Sequence, residues 1–88
     1  NWGKIRIVNE LKLRNISANI IKIALKEINE TAYYDLFEEI SLKHWQSISE
    51  KNTLKKRKKF CDYFIRKGWE NDFIYEKVKQ LESEFNNI

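Results

Sequence analysis

Proline is absent from this 88-residue chain, and glycine occurs only at Gly3 and Gly68. Without proline no helix loses an amide donor, and with so little glycine there are few places where the backbone turns freely. Methionine is also absent, and Cys61 and His44 are single. A lone cysteine excludes an internal disulfide and a cysteine-based zinc site, and is expected of a reducing, cytoplasmic setting. A lone histidine with no second ligand at a suitable spacing puts no metal in view, and no cofactor is expected. No apolar run approaches the roughly 20 residues of a membrane span, and no charged-then-apolar leader opens the chain, so no membrane partner is expected. The opening Asn1-Trp2-Gly3, without an initiator methionine, is expected of a piece of a longer protein.

What the chain does have is lysine, glutamate, leucine, isoleucine and asparagine, with 42% hydrophobic and 14% aromatic residues, enough apolar surface to fold as one thin-cored monomer. The net charge is +4 and the pI near 9.2. Its distribution is uneven. Residues 29–39 carry Glu30, Asp35, Glu38 and Glu39 and no base, whereas residues 54–67 set Lys55, Lys56, Arg57, Lys58, Lys59, Arg66 and Lys67 against Asp62 alone. One face should be positive and another negative.

Apolar spacing predicts an all-α fold of about five helices, at 4–14, 18–28, 31–47, 54–67 and 71–84, with a polar tail from Ser83 to Ile88. Residues 1–28 read as the last two helices of one three-helix, helix-turn-helix-like unit, and 29–88 as a complete following unit. At an offset of 53, Ile7 falls on Phe60, Val8 on Cys61, Leu11 on Phe64, Ile16 on Trp69, Ile21 on Ile74 and Leu25 on Val78. The turns repeat as well. Gly68 and Asn15 are the residue types that best adopt a left-handed helix stop, and each is followed by a large apolar residue, Trp69 or Ile16. That residue is set to touch the one five positions earlier, Phe64 or Leu11, as a Schellman cap requires. Ser17 supplies an N-cap for the next helix, a task left in the second copy to Glu70 or Asn71. In the long middle helix, capped by Asn29 or Thr31, the expected buried stripe is Tyr33, Leu36, Phe37 and Ile40, extended by His44 and Ile48, with Trp45 off it.

Several stretches together resemble the C-terminal part of RecX-family proteins, regulators of the RecA recombinase. They are Gly3-Lys4-Ile5-Arg6-Ile7 with Glu10-Leu11-Lys12, Arg14-Asn15-Ile16-Ser17, Ile20-Ile21 with Ala24-Leu25, Tyr33-Tyr34, Lys43-His44-Trp45, and Arg66-Lys67-Gly68-Trp69. Asn15 stands where the family usually has glycine, and the family's N-terminal helical unit is missing. The resemblance implies tandem three-helix units, no enzymatic activity, and binding to the RecA filament that suppresses its recombinase, ATPase and coprotease functions in DNA repair and the SOS response.

The candidate partner-binding residues are Lys55, Lys56, Arg57, Lys58 and Lys59, continued by Arg66 and Lys67, with a second set of Lys4, Arg6, Lys12 and Arg14. Such density attracts an acidic protein surface or phosphates, although a charge run also serves simply as a solvated face. Direct DNA binding, single- or double-stranded, through the helix-turn-helix corner is the alternative, with Ala18, Asn19, Asn71 and Asp72 at the reading positions. Trp2, Trp45 and Trp69 also admit a base-stacking role. A scaffold domain without a contact surface of its own is a third reading. Catalysis has the least support. Glu38 and Glu39 are adjacent and point apart on a helix, Ser47, Ser49 and Thr53 lack a partner base, and no phosphate-cradling glycine loop is present.

Overall fold

Two helices end where the sequence supplies a left-handed stop, and the computed structural model, which describes residues 1–86 with side chains through Glu84, shows five helices in all among those residues. They are α1 (Lys4–Leu13), α2 (Ala18–Lys26), α3 (Glu30–Ser47), α4 (Thr53–Arg66) and α5 (Asn71–Asn86). No strand occurs among the described residues. Asn15 and Gly68 have φ of 60° and 84°, and no other described residue has a positive φ. At each, both bonds of a Schellman cap form: Ile16 N–H donates to Leu11 O and Trp69 N–H to Phe64 O, both at 3.1 Å. Asn15 N–H donates to Lys12 O and Gly68 N–H to Ile65 O, both at 3.0 Å.

The starts are capped as clearly. The side chains of Ser17, Asn29 and Asn52 accept from the amides of Ile20, Ala32 and Lys55, settling the α3 cap on Asn29 rather than Thr31. At α5 the carbonyl of Glu70 accepts the first helical bond, from Ile74 N–H. The Glu70 carboxylate does not cap. It accepts instead from the hydroxyl of Tyr33 at 2.7 Å. The expected polar tail from Ser83 is helical through Asn86; its last two residues, 87 and 88, lie outside the described residues.

The core lies among α3, α4 and α5, where Tyr33, Phe37, Phe60, Phe64, Trp69, Ile74, Val78 and Leu81 are buried in one cluster. The α3 stripe differs from the expected one. It runs Tyr33, Phe37, Ser41, Trp45 at a strict spacing of four, and Trp45 is 1% exposed, so it is a core residue rather than a peripheral one. Leu36, Ile40 and Ile48 only flank it. The α1–α2 pair is covered far less: α1 has no buried residue, α2 only Ile21, and Ile5, Leu13, Ile20 and Ile23 are exposed. The molecule is accordingly elongated, 49 × 24 × 18 Å, with a radius of gyration of 15.0 Å against about 12 Å for a compact chain of this length.

The start of α1 is seated on the α4–α5 corner. Gly3 N–H donates to Lys67 O (2.9 Å), Ile5 N–H to Gly68 O (3.0 Å), and Lys4 N–H to the Tyr33 hydroxyl (2.8 Å). Amides that a helix N-terminus leaves unpaired are thus satisfied by the carbonyls and hydroxyl of a neighbouring turn. Backbone meets backbone here. A Cβ on Gly3 would lie 2.3 Å from Gly68 O, and one on Gly68 would lie 2.3 Å from the Cβ of Arg6. Trp69 Nε1 closes the junction by donating to Asn1 O at 3.1 Å.

Candidate functional site

The basic residues singled out from the sequence fall into three groups once folded. The first is tied up within the molecule. Lys4 pairs with Glu30 at 2.6 Å and lies over the Tyr33 ring. Arg57 makes a two-pronged bond to Glu82, at 2.6 and 2.7 Å, which raises its pKa. Lys58 bonds Asp62 at 2.8 Å, one turn along α4 and also with a raised pKa; Lys59 is held more loosely, 3.6 Å from Glu50 with its side chain 59% exposed, and belongs to the third group as well. Lys4 and Arg57 are equivalent in the offset-53 comparison, and each staples the N-terminal half of one helix to a glutamate beyond or near the end of the next. Their role is architectural.

The second group stands apart from the rest. Lys12 and Arg14 are exposed at the far end of α1, where a cation is favoured by the helix dipole. A ten-residue helix is about 15 Å long, so they do not join a surface centred on α4. Lys55 is exposed at the start of α4. The ammonium of Lys56 sits 4.4 Å from the centre of the Trp45 ring, its stem shielding that core residue.

The third group converges. Lys59, Tyr63 and Arg66 recur at i, i+4 and i+7 on α4 and share one side of the helix. The Tyr63 ring is stacked on His44 of α3 at 3.8 Å, 19° from parallel, while the cations of Arg66 and Lys67 lie 6.0 and 5.6 Å from its centre. An open groove of about 490 Å³ runs along this strip, lined by His44, Ile48, Lys59, Asp62, Tyr63 and Arg66. Docking of α1 adds Arg6, whose guanidinium donates to Arg66 O at 3.3 Å and stacks over Trp2 at 4.4 Å. Arg6, Lys59, Arg66 and Lys67 therefore form a cationic strip around an aromatic pair. Burial, and after it the charge of Arg66, hold the His44 pKa below its ordinary 6.5, so His44 contributes a neutral ring.

Cations grouped around a stacked aromatic pair can accept acidic or phosphorylated groups. No nucleophile in the strip is paired with a base, and no group of histidine, cysteine, aspartate and glutamate side chains among the described residues has the geometry of a metal site. Cys61 is buried, which raises its thiol pKa and keeps it an inert filler of the core. Among the described residues, no helix is long and apolar enough to cross a membrane. Of the tryptophans, Trp45 and Trp69 are core residues closed to stacking by a base, and Trp2 alone is exposed. Sequence reasoning missed Tyr63 and His44 as a stacked pair; their positions on facing helices become neighbours only through the α3–α4 packing.

The chain is 29% identical over 86 residues to the regulatory protein RecX of Haemophilus influenzae, in the strains PittEE, PittGG and Rd alike. The match covers 97% of this chain and 56% of those relatives, in a C-terminal portion of them, so the chain spans about half the length of the curated relatives it matches. No protein-family model matches it, and no solved structure matches it significantly. The matches support a RecX-family fragment, in agreement with the motifs along the chain.

Proposed function

We infer that the chain acts without catalysis, as a RecX-type regulator that binds the RecA recombinase filament and inhibits its recombinase, ATPase and coprotease activities in DNA repair and the SOS response. The observation that carries this reading is the likeness to the regulatory protein RecX over 97% of the chain. Residues 1–28 serve as two helices of one three-helix unit and 29–88 as the next, and the Arg6, Lys59, Arg66 and Lys67 strip is the contact with acidic groups of the filament. Lys55 and Lys56 extend the same attraction along α4, whereas Arg57 and Lys58 act through their internal ion pairs. Repeat proteins spread affinity over several units, so the chain binds more weakly than a complete regulator.

Direct sequence reading of DNA by α5 runs against its start, where Glu70 and Asp72 would face phosphates and α1 already covers the corner. Fluorescently labelled single- and double-stranded DNA run on gels with and without RecA separates the two. The regulator reading expects the chain to retard the RecA–DNA complex further while leaving naked single- and double-stranded DNA in place. Retardation of naked DNA that collapses steeply with salt, without any effect on the RecA complex, would replace it with direct DNA binding.

A further inference from the structure

Away from the basic strip, α3 and α5 enclose a second groove of about 400 Å³, lined by Tyr34, Phe37, Glu38, Phe73, Glu76 and Lys77. Its floor is aromatic. The Tyr34 and Phe73 rings are 4.6 Å apart and Phe37 lies 6.0 Å from Phe73, and Tyr34 remains 47% exposed. Its rim is acidic, with Glu38 on one helix and Glu76 on the other. The one cation in the wall, Lys77, is only 6% exposed, and its ammonium donates to Glu38 Oε1 and to Gln80 Oε1. Its charge is matched inside the wall. Glu76 makes no ion pair among the described residues, and the Glu38 side chain remains 59% exposed. Glu30, Asp35 and Glu39 on α3 and Asp72 on α5 extend the negative charge along the same two helices, and no residue of basic α4 lines the groove.

The chemistry of an occupant follows from these walls. An anion is repelled by the rim, and a purely apolar side chain strips water from two carboxylates without replacing it. A guanidinium meets both demands: its flat, weakly hydrated face stacks on aromatic rings while its edge donates paired bonds to carboxylate oxygens. An ammonium is a compact, strongly hydrated charge and uses the rings less well.

We propose that the α3–α5 groove receives an arginine side chain of a partner protein, the guanidinium lying over Tyr34 and Phe73 with Glu76 and the outer oxygen of Glu38 as acceptors. The site is independent of the RecA reading, since none of the candidate basic residues belongs to it and its test contains no RecA.

The test is a titration of acetyl-Gly-Arg-Gly-amide into the 15N-labelled chain, followed by amide chemical shifts, beside the same peptide with citrulline, which has the shape of arginine without its charge. The expected result is saturable movement of the amides of Tyr34, Glu38, Phe73 and Glu76 with the arginine peptide and at least about tenfold weaker binding of the citrulline peptide. Glu76→Gln, an exposed change that leaves the helix intact, should weaken the arginine peptide by up to about fivefold. Equal effects of the two peptides, movement scattered over the other acidic positions, or a Glu76→Gln variant that binds undiminished would each overturn the assignment. Shifts of the same amides on raising the protein concentration alone would overturn it too, by giving the groove to a second copy of the chain.

Discussion

Replacing Gly3 with alanine adds one methyl group at the junction between α1 and the α4–α5 corner. At a free helix start that exchange is mild: Gly3 has φ −76° and ψ 168°, a conformation open to any residue, and alanine is poorer than glycine as an N-cap by about 0.5–1 kcal/mol. Here the new Cβ would lie 2.3 Å from Gly68 O, 2.5 Å from Gly68 C and 2.5 Å from Trp69 Cα. All three are backbone atoms of a turn held by two Schellman bonds, and none is a side-chain tip that swings aside. Either the corner distorts, at about 1–3 kcal/mol for overpacking, or α1 lifts away and its amides lose Lys67 O and Gly68 O, at about 1 kcal/mol for each bond. Both routes give about 2–4 kcal/mol in total, a large share of the roughly 4–13 kcal/mol that a chain this long commands. Urea unfolding followed by circular dichroism and by tryptophan fluorescence reads it directly. A Gly3→Ala variant within about 1 kcal/mol of the parent would mean that α1 does not dock, and the reasoning from close approach would be wrong.

The companion substitution Gly68→Asn keeps a residue that tolerates the left-handed conformation yet brings a Cβ against Arg6. It should lower stability by about 1–3 kcal/mol, whereas Asn15→Gly at the undocked corner should be neutral or slightly stabilising in the same urea assay. Phe64→Ala empties a site that is fully buried against Phe37 and Phe60, and calorimetry should show a loss of about 3–5 kcal/mol, enough to unfold part of the population at room temperature. Tyr33→Phe leaves Lys4 N–H without an acceptor and Glu70 without its donor, an expected cost of about 1–3 kcal/mol by denaturant titration. Because the folded protein holds the His44 pKa below 6.5, the unfolded chain binds the proton first. Stability should therefore fall as pH drops below about 6.5 toward 5, and His44→Gln should flatten that part of a melting-temperature profile.

The helix ends at Asn15, Ser17 and Gly68 were readable from the sequence because each rests on a local device: Ser17 caps the turn that follows it, and Asn15 and Gly68 take the left-handed stop within their own segment; Asn29 was one of two candidates for the α3 cap, and Asn52, the cap of α4, was not picked out. What local patterns do not carry is the partner across space. Trp45 was placed off the α3 stripe because the true stripe passes through Ser41, a polar residue that turns its hydroxyl back to Glu38 O and so fits a buried position. The basic run reads as continuous charge along the chain, yet Glu82, 25 residues from Arg57, and Glu50, ahead of the same helix, neutralise part of it. The reach of the site depends on the same kind of information. Arg6 joins Arg66 only because Gly3 and Gly68 let two backbones touch, and nothing in the spacing of those glycines announces that they meet. Burial of Lys77 was equally hidden, since its compensation comes from Glu38 on another helix.

The most direct test of the functional account is the rate of single-stranded-DNA-dependent ATP hydrolysis by RecA, measured while this chain is added, and again with Arg66→Glu/Lys67→Glu, whose helix content is checked by circular dichroism. Inhibition by the parent chain that needs more than about tenfold higher concentration of the folded double variant is the predicted result. Equal inhibition by both would remove the cationic strip from the mechanism, and a hydrolysis rate untouched by the parent chain at any concentration would contradict the assignment as a RecA regulator.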